Sequence, residues 1–332
     1  MAVFTPLSKE QIENFLLSYS VGKLISFQGI LQGVDNTNYK IQTTTGQYIL
    51  TVFESRINPN DLPYYLGFME HLSQNEIICP SPIPPLPELR SNSKAIQKMD
   101  SSKITKGNSG NDKRLIFTLK NKPAALFLFL DGQGCAQQDI TPALCHELGV
   151  LLAKMHILGQ SFPLSRKNSM LFNAWENLLH KIGHVANPYM ETLCQLKNLW
   201  PSNLPNGSVH LDLFPDNVFI KNDHICGVID FYFSATDFLA YDLAIVMNAW
   251  CFDDFEFNHQ KWDALLAGYE SIRPLTQQEK DNYQILCQGA SLRFLSSRLH
   301  DYLFHDPKNL VTPKQPDEYI QKLEFHKHVK LL

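Results

Sequence analysis

Hydrophobic and polar positions change their period several times along this 332-residue chain, and each change predicts an element. Ile12, Phe15, Leu16 and Tyr19 recur at helical spacing behind Ser8, a good capping residue, so a short amphipathic helix is expected over 8–19. Three β-rich runs follow at 24–31, 38–43 and 47–53. They are separated by the loop Gly33-Val34-Asp35-Asn36-Thr37 and by Thr45-Gly46, which predicts an antiparallel three-stranded sheet. Leu62, Tyr65, Leu66, Met69 and Leu72 then return to the 3.6-residue period. That spacing predicts a helix over 61–73, capped by Asn60 or Asp61 and packed on the sheet.

Five prolines between 79 and 87 stop regular structure, and 91–112 is a polar insertion rich in Ser, Lys, Asn and Gly, expected to be mobile and outside the chemistry. The apolar run 124–130 reads as a buried strand that ends in a flexible joint at Asp131-Gly132. A boundary there divides the chain into an N-terminal lobe, 1–130, and a C-terminal lobe, 131–332. Helical periodicity at 141–158, at 175–179 and through most of the chain after Phe255 makes the second lobe mainly helical. The fold class is therefore α+β and bilobal, with a small antiparallel sheet and one packed helix in the first lobe.

Hydrophobic residues make up 44 % and charged residues 19 %, enough apolar surface for a core without metal or disulfide support. A net charge of −4 supplies no basic field for a phosphate backbone, so nucleic acid is not an expected partner. Seven cysteines are scattered singly, an odd number with no CxxC spacing, which suits reduced thiols. The N-terminus lacks the pattern of a secretory signal, and no run reaches the roughly 18 apolar residues of a membrane span. The expected location is cytoplasmic, with no membrane partner, for a protein acting as a monomer or a homodimer.

The chemistry concentrates in His210-Leu-Asp212-Leu-Phe-Pro-Asp-Asn217, followed thirteen residues after Asn217 by Asp230 in Val228-Ile-Asp230-Phe. This is the kinase pattern of H-x-D, four residues, N, and then a strand-borne Asp. Phosphoryl transfer needs a carboxylate to receive the acceptor's proton and oxygen ligands for a Mg²⁺ that neutralises the phosphates. Asp212 suits the first role, Asn217 and Asp230 the second, and ATP with Mg²⁺ is the implied cofactor. Asp242, in Ala240-Tyr-Asp-Leu-Ala, opens a helix and can accept backbone N–H groups.

The loop from Gly29 to Asn38 offers glycine, amide and hydroxyl groups to phosphates, with Gly33, Asn36 and Asn38 the candidates, although an ordinary hairpin turn would look the same. Protein kinases carry a lysine on the third strand, whereas this chain has Thr51 near that position; Glu70 lies on the helix that would supply the lysine's partner. The joint at Phe129 to Asp131 is the candidate adenine contact. His156, on an apolar helix face, is expected to be a satisfied core histidine.

Over nearly its full length the chain resembles the homoserine kinase branch of the aminoglycoside-phosphotransferase-like kinases, which share the protein-kinase-like fold. The carrying segments are 26–39, Tyr48-Ile-Leu-Thr51-Val-Phe-Glu54, 61–72 and the block 210–253, including Asp230-Phe-Tyr-Phe-Ser-Ala-Thr-Asp237. In that family an Asp at the place of Asp242 steadies the catalytic loop, with His210 beside it. The resemblance implies phosphorylation of the side-chain hydroxyl of L-homoserine, a step toward threonine, by an enzyme whose partner is a small molecule. A zwitterionic substrate needs a guanidinium for its carboxylate and an acidic or aromatic partner for its ammonium. Arg293, Arg298, Trp250, Asp237 and Tyr232 are the candidates. A choline, methylthioribose or aminoglycoside kinase, or a pseudokinase that binds ATP without turnover, shares the catalytic segment and stays open at this point.

Overall fold

The computed structural model describes residues 4–31, 36–87, 116–305 and 312–332. They fall into two compact units, Met1–Asp131 and Gly132–Leu332. Gly33 and the polar insertion lie outside the described residues.

In the first unit α1 (Lys9–Leu16) starts from a capping box in which Ser8 and Gln11 bond each other's backbone N–H. The strands β1 (Leu24–Ile30), β2 (Asn36–Thr43) and β3 (Gln47–Phe53) precede α2 (Leu62–Gln74), and β4 (Phe117–Leu119) and β5 (Lys122–Leu128) close the unit. All pair antiparallel in the order β1-β2-β3-β5-β4, so the sheet has five strands rather than the expected three. The addition has a local cause: Lys120 and Asn121 take positive φ in a two-residue turn that folds β4 onto β5. The continuous apolar run of β5 reflects its central place between β3 and β4.

One face of the sheet, Tyr39, Ile41, Tyr48, Leu50, Val52, Ala124 and Leu126, forms a core with Ile12, Phe15, Leu16 and Tyr19 of the N-terminal segment. The two-residue strand period turns Asn38, Lys40, Ile49 and Thr51 to the opposite face. Asp61 precedes α2 but makes no side-chain cap bond; the cap bond in this stretch is one turn earlier, from Asn60 N to Asn58 Oδ1. A short proline-led 3-10 turn over Pro59–Asp61 therefore replaces the expected cap.

The second unit contains β6 (Gln133–Gly134), α3 (Pro142–Ser161), α4 (Phe172–Ile182), α5 (Asn187–Leu199), β7 (Asn206–Val209), β8 (Val218–Lys221), β9 (His224–Val228) and β10 (Ala235–Phe238). Then come α6 (Leu239–Trp250), β11 (Phe252–Asp253), β12 (Glu256–Phe257), α7 (His259–Glu270), α8 (Gln277–Leu303) and α9 (Asp317–His328). Every residue of α6 is buried, which makes it the central helix.

Helices α3 and α7 approach unusually closely because each presents a glycine to the other. A Cβ on Gly149 would stand 2.1 Å from the Leu265 carbonyl oxygen, and one on Gly268 the same distance from that of His146. That contact brings the buried side chains of His156 and Tyr269 together between the two helices.

Candidate active site

The thirteen-residue spacing from Asn217 to Asp230 is the length of a hairpin. β8 and β9 pair with Val218 opposite Val228 around a turn at Asn222 and Asp223, both at positive φ. At the open end the Ile229 N–H donates to the Asn217 carbonyl at 2.9 Å, which sets Asn217 opposite Ile229, the residue just before Asp230. Asp230 itself is left-handed, φ 65° and ψ 60°. A non-glycine residue in that conformation costs about 1–2 kcal/mol and persists only where its surroundings hold it.

His210 ties the preceding loop to the same strand. Its Nε2 donates to the Ile229 carbonyl at 3.0 Å and its Nδ1 accepts from the Asp212 N–H at 3.2 Å, a tautomer assigned from the partners. Asn217 Nδ2 donates to the Asp212 carbonyl at 2.7 Å and approaches its Oδ2 at 3.3 Å. The amide oxygen of Asn217 is thereby turned away from Asp212. Burial pushes the Asp212 carboxyl up to about 8, with Arg293 pulling against this and Asp230 and Asp216 adding to it. A carboxyl group that titrates this close to the working pH passes readily between its two forms, and its ionised form is a strong enough base to take a proton from an alcohol.

Asp242 is fully buried near the start of α6 and holds the loop from below. Its Oδ2 accepts from the His210 N–H at 3.1 Å and its Oδ1 from the Leu211 N–H at 2.7 Å, and Leu211 is the loop's left-handed residue, φ 64°. His156 Nε2 lies 3.1 Å from the same carboxylate and its Nδ1 lies 2.7 Å from the Tyr269 hydroxyl. Arg273 continues the chain, Nη1 to Tyr269 at 3.0 Å and Nη2 to the buried Glu279 at 2.9 Å. Burial alone would raise Asp242, but the His156 bond, His210 and the Leu211 N–H leave it below its ordinary value, hence ionised.

The phosphotransferase enzyme family model, APH, matches residues 26–275. The chain belongs to that family. It is 39% identical to the homoserine kinase of Rhizobium meliloti over 338 residues, 99% of this chain and 95% of the relative. It is 41% identical to the homoserine kinase of Granulibacter bethesdensis over 335 residues, covering 98% and 97%. Among solved structures, amicoumacin kinase hAmiN in complex with AMP-PNP, Ca²⁺ and Ami aligns with TM-score 0.66 at 14% identity, covering 97% of this chain and 92% of that one. Choline kinase LicA from Streptococcus pneumoniae aligns with TM-score 0.59 at 15% identity, covering 96% and 97%. The fold is the aminoglycoside-phosphotransferase and protein-kinase-like one.

In this phosphotransferase the remaining sequence candidates separate by environment. Trp250 is completely enclosed, and its Nε1 donates to the Leu213 carbonyl of the Asp212 loop at 2.9 Å. Arg298 is ion-paired with Glu318 and lies 4.4 Å from the Tyr319 ring centroid, tying α8 to α9. Asp237 is buried, with Oδ2 bonded to Asn168 at 2.6 Å and Oδ1 to the Phe238 N–H at 2.7 Å. Tyr232 is half-buried just after Asp230, and Arg293 is buried near Asp212.

In the first unit Asn36 and Thr51 are buried, and the Thr51 hydroxyl donates to Asn38 Oδ1 across the sheet at 2.7 Å. The half-buried Phe129 ring lies 4.0 Å from the Lys40 ammonium, while Asp131 is exposed. The ion pair absent at Thr51 has a counterpart elsewhere: Glu54 pairs with Lys122 and accepts from Thr5 and Thr37 hydroxyls, each at 2.7 Å. Sequence reasoning missed Lys40, Lys122 and the Asp242–His156–Tyr269–Arg273–Glu279 chain. The four-residue spacing of Tyr269 and Arg273 was its one available trace.

Proposed function

We propose that this phosphotransferase transfers the γ-phosphoryl group of ATP to the side-chain hydroxyl of L-homoserine, with Asp212 as proton acceptor and Asn217 and Asp230 as Mg²⁺ ligands. The substrate choice is carried by one observation, the 39–41% identity to homoserine kinases across nearly the whole chain. The chemistry is supported by the hairpin, the loop and Asp242.

The donor set fits the ion. Among the described residues no three His, Cys, Asp or Glu side chains form a metal-binding group. One amide oxygen and one carboxylate suit Mg²⁺, which takes its other ligands from phosphates and water. When bound, Mg-ATP supplies the phosphoryl group and charge neutralisation. Asp212 then takes the proton released by the acceptor hydroxyl, while His210 and Asp242 keep its backbone in place. Gly33, Asn36, Asn38, Thr51, Phe129 and Asp131 of the first unit are the proposed nucleotide contacts. Asp237, Tyr232 and Arg293 are the proposed acceptor contacts.

The division into a nucleotide-binding N-terminal lobe and a catalytic C-terminal lobe is part of the same proposal, as is a cytoplasmic location, which the seven free cysteines suit. Among the described residues no helix is long and apolar enough to cross a membrane. ADP release measured with L-homoserine, choline, methylthioribose and an aminoglycoside tests the substrate. Homoserine is expected to give the largest kcat/KM, and a higher value for any other member of the panel overturns the assignment.

A further inference from the structure

Several buried side-chain groups of the second unit have no hydrogen-bond partner, those of Arg293, Tyr241 and Tyr319 among them. Arg293 on α8 is 3% exposed and its buried Nη1 has no partner; the buried hydroxyls of Tyr241 on α6 and Tyr319 on α9 have none either. They belong to one neighbourhood. α8 packs on both α6 and α9, and the Arg293 guanidinium is close enough to Tyr241, Tyr319 and Asp212 to pull against the ionisation shift of each. It lies 4.7 Å from the ring centroid of Phe294, which packs at 4.9 Å on Phe214 of the Asp212 loop and at 5.4 Å on Tyr319.

Buried donors without acceptors are rare, because each forfeits a bond it made in water. A guanidinium has no acceptor capacity, and Asp237, an acid of this neighbourhood, already spends its oxygens on Asn168 and Phe238. The missing partner must therefore bring acceptor oxygens, and a planar carboxylate matches the guanidinium fork. With Asp212 and Asp237 nearby, a single negative charge is better tolerated than the two of a phosphate. Asp212 keeps a partly exposed side chain, which opens this neighbourhood to a ligand.

We propose that Arg293, flanked by the Tyr241 and Tyr319 hydroxyls, binds the carboxylate of the acceptor beside Asp212 and makes the enzyme selective for amino-acid alcohols over alcohols without a carboxylate. This rests on the homoserine reading above. The test compares L-homoserine with 3-amino-1-propanol, the same amino alcohol without its carboxylate, in wild type, Arg293→Met, Tyr241→Phe and Tyr319→Phe. Wild type is expected to favour homoserine strongly. Arg293→Met is expected to shrink that preference by on the order of 10- to 100-fold, whatever loss the two substrates share.

Each Tyr→Phe change is expected to raise KM for homoserine several-fold while the ligand-free melting temperature holds or rises, since an unpartnered hydroxyl has gone. A preference that survives Arg293→Met to within about threefold overturns the proposal. Should that variant fail to fold, an unchanged homoserine KM in both Tyr→Phe variants does the same. If wild type phosphorylates another alcohol of the panel but not homoserine, the substrate reading itself falls, and the proposal with it.

Discussion

Replacing Asp212 by Asn should make the ligand-free protein more stable at alkaline pH while nearly abolishing turnover. The folded protein retains the Asp212 proton up to about pH 8, whereas an unfolded chain releases it near the ordinary value of 3.8. Between those values the folded state binds more protons, so wild-type stability falls as pH rises, and the penalty is complete above pH 8. A displacement of about four units corresponds to roughly 5 kcal/mol at most, and relaxation around a partly exposed side chain reduces this to a few. Asn removes the ionisation and keeps an oxygen for the Asn217 amide.

For a unit of this size each kcal/mol moves Tm by about 2–4 °C, so Asp212→Asn should melt about 4–10 °C above wild type at pH 8.5. The gap should narrow as pH falls and close below about pH 4, where the side chain is neutral in the folded and the unfolded chain alike. Losing the proton acceptor should lower kcat by about 10²- to 10⁴-fold. Thermal melts across pH without Mg²⁺ or nucleotide, together with a coupled ADP-release assay, measure both. A lower Tm at pH 8.5, or turnover close to wild type, would refute the reasoning.

Asp230→Ala should abolish Mg²⁺-dependent phosphoryl transfer, and Asn217→Ala should raise the Mg²⁺ requirement, both read from metal titrations of ADP release. Asp242→Asn offers one acceptor oxygen where the carboxylate meets three donors, so at least one buried donor is orphaned at about 1–3 kcal/mol. A Tm loss accompanied by a fall in kcat larger than any change in KM is expected. Gly149→Ala should destabilise by about 1–3 kcal/mol through the clash with the Leu265 carbonyl, although alanine is the better helix former; calorimetry or a melt reads the sign. Lys122→Met should lower the melting temperature modestly, by stranding Glu54, and restoring a cation with Lys122→Arg should recover most of it.

Local pattern carried much of this protein. The capping box at Ser8, the alternation in β2 and β3, and the hairpin-length interval between Asn217 and Asp230 all depend on neighbours within a few residues to a dozen, so the chain displays them directly. The same holds for the order His210, Asp212, Asn217, Asp230, which is set along one loop and one hairpin. Tertiary structure decided what depends on distant packing. The pairing of β5 with β3 joins segments about seventy residues apart in the chain, and no period in either announces the partner. His156 meets Asp242, Trp250 closes over Leu213, and Arg298 turns to Glu318 only because buried helices cross there. Side chains on an all-buried helix such as α6 show no stripe, so which of them lies under the loop was settled by packing alone.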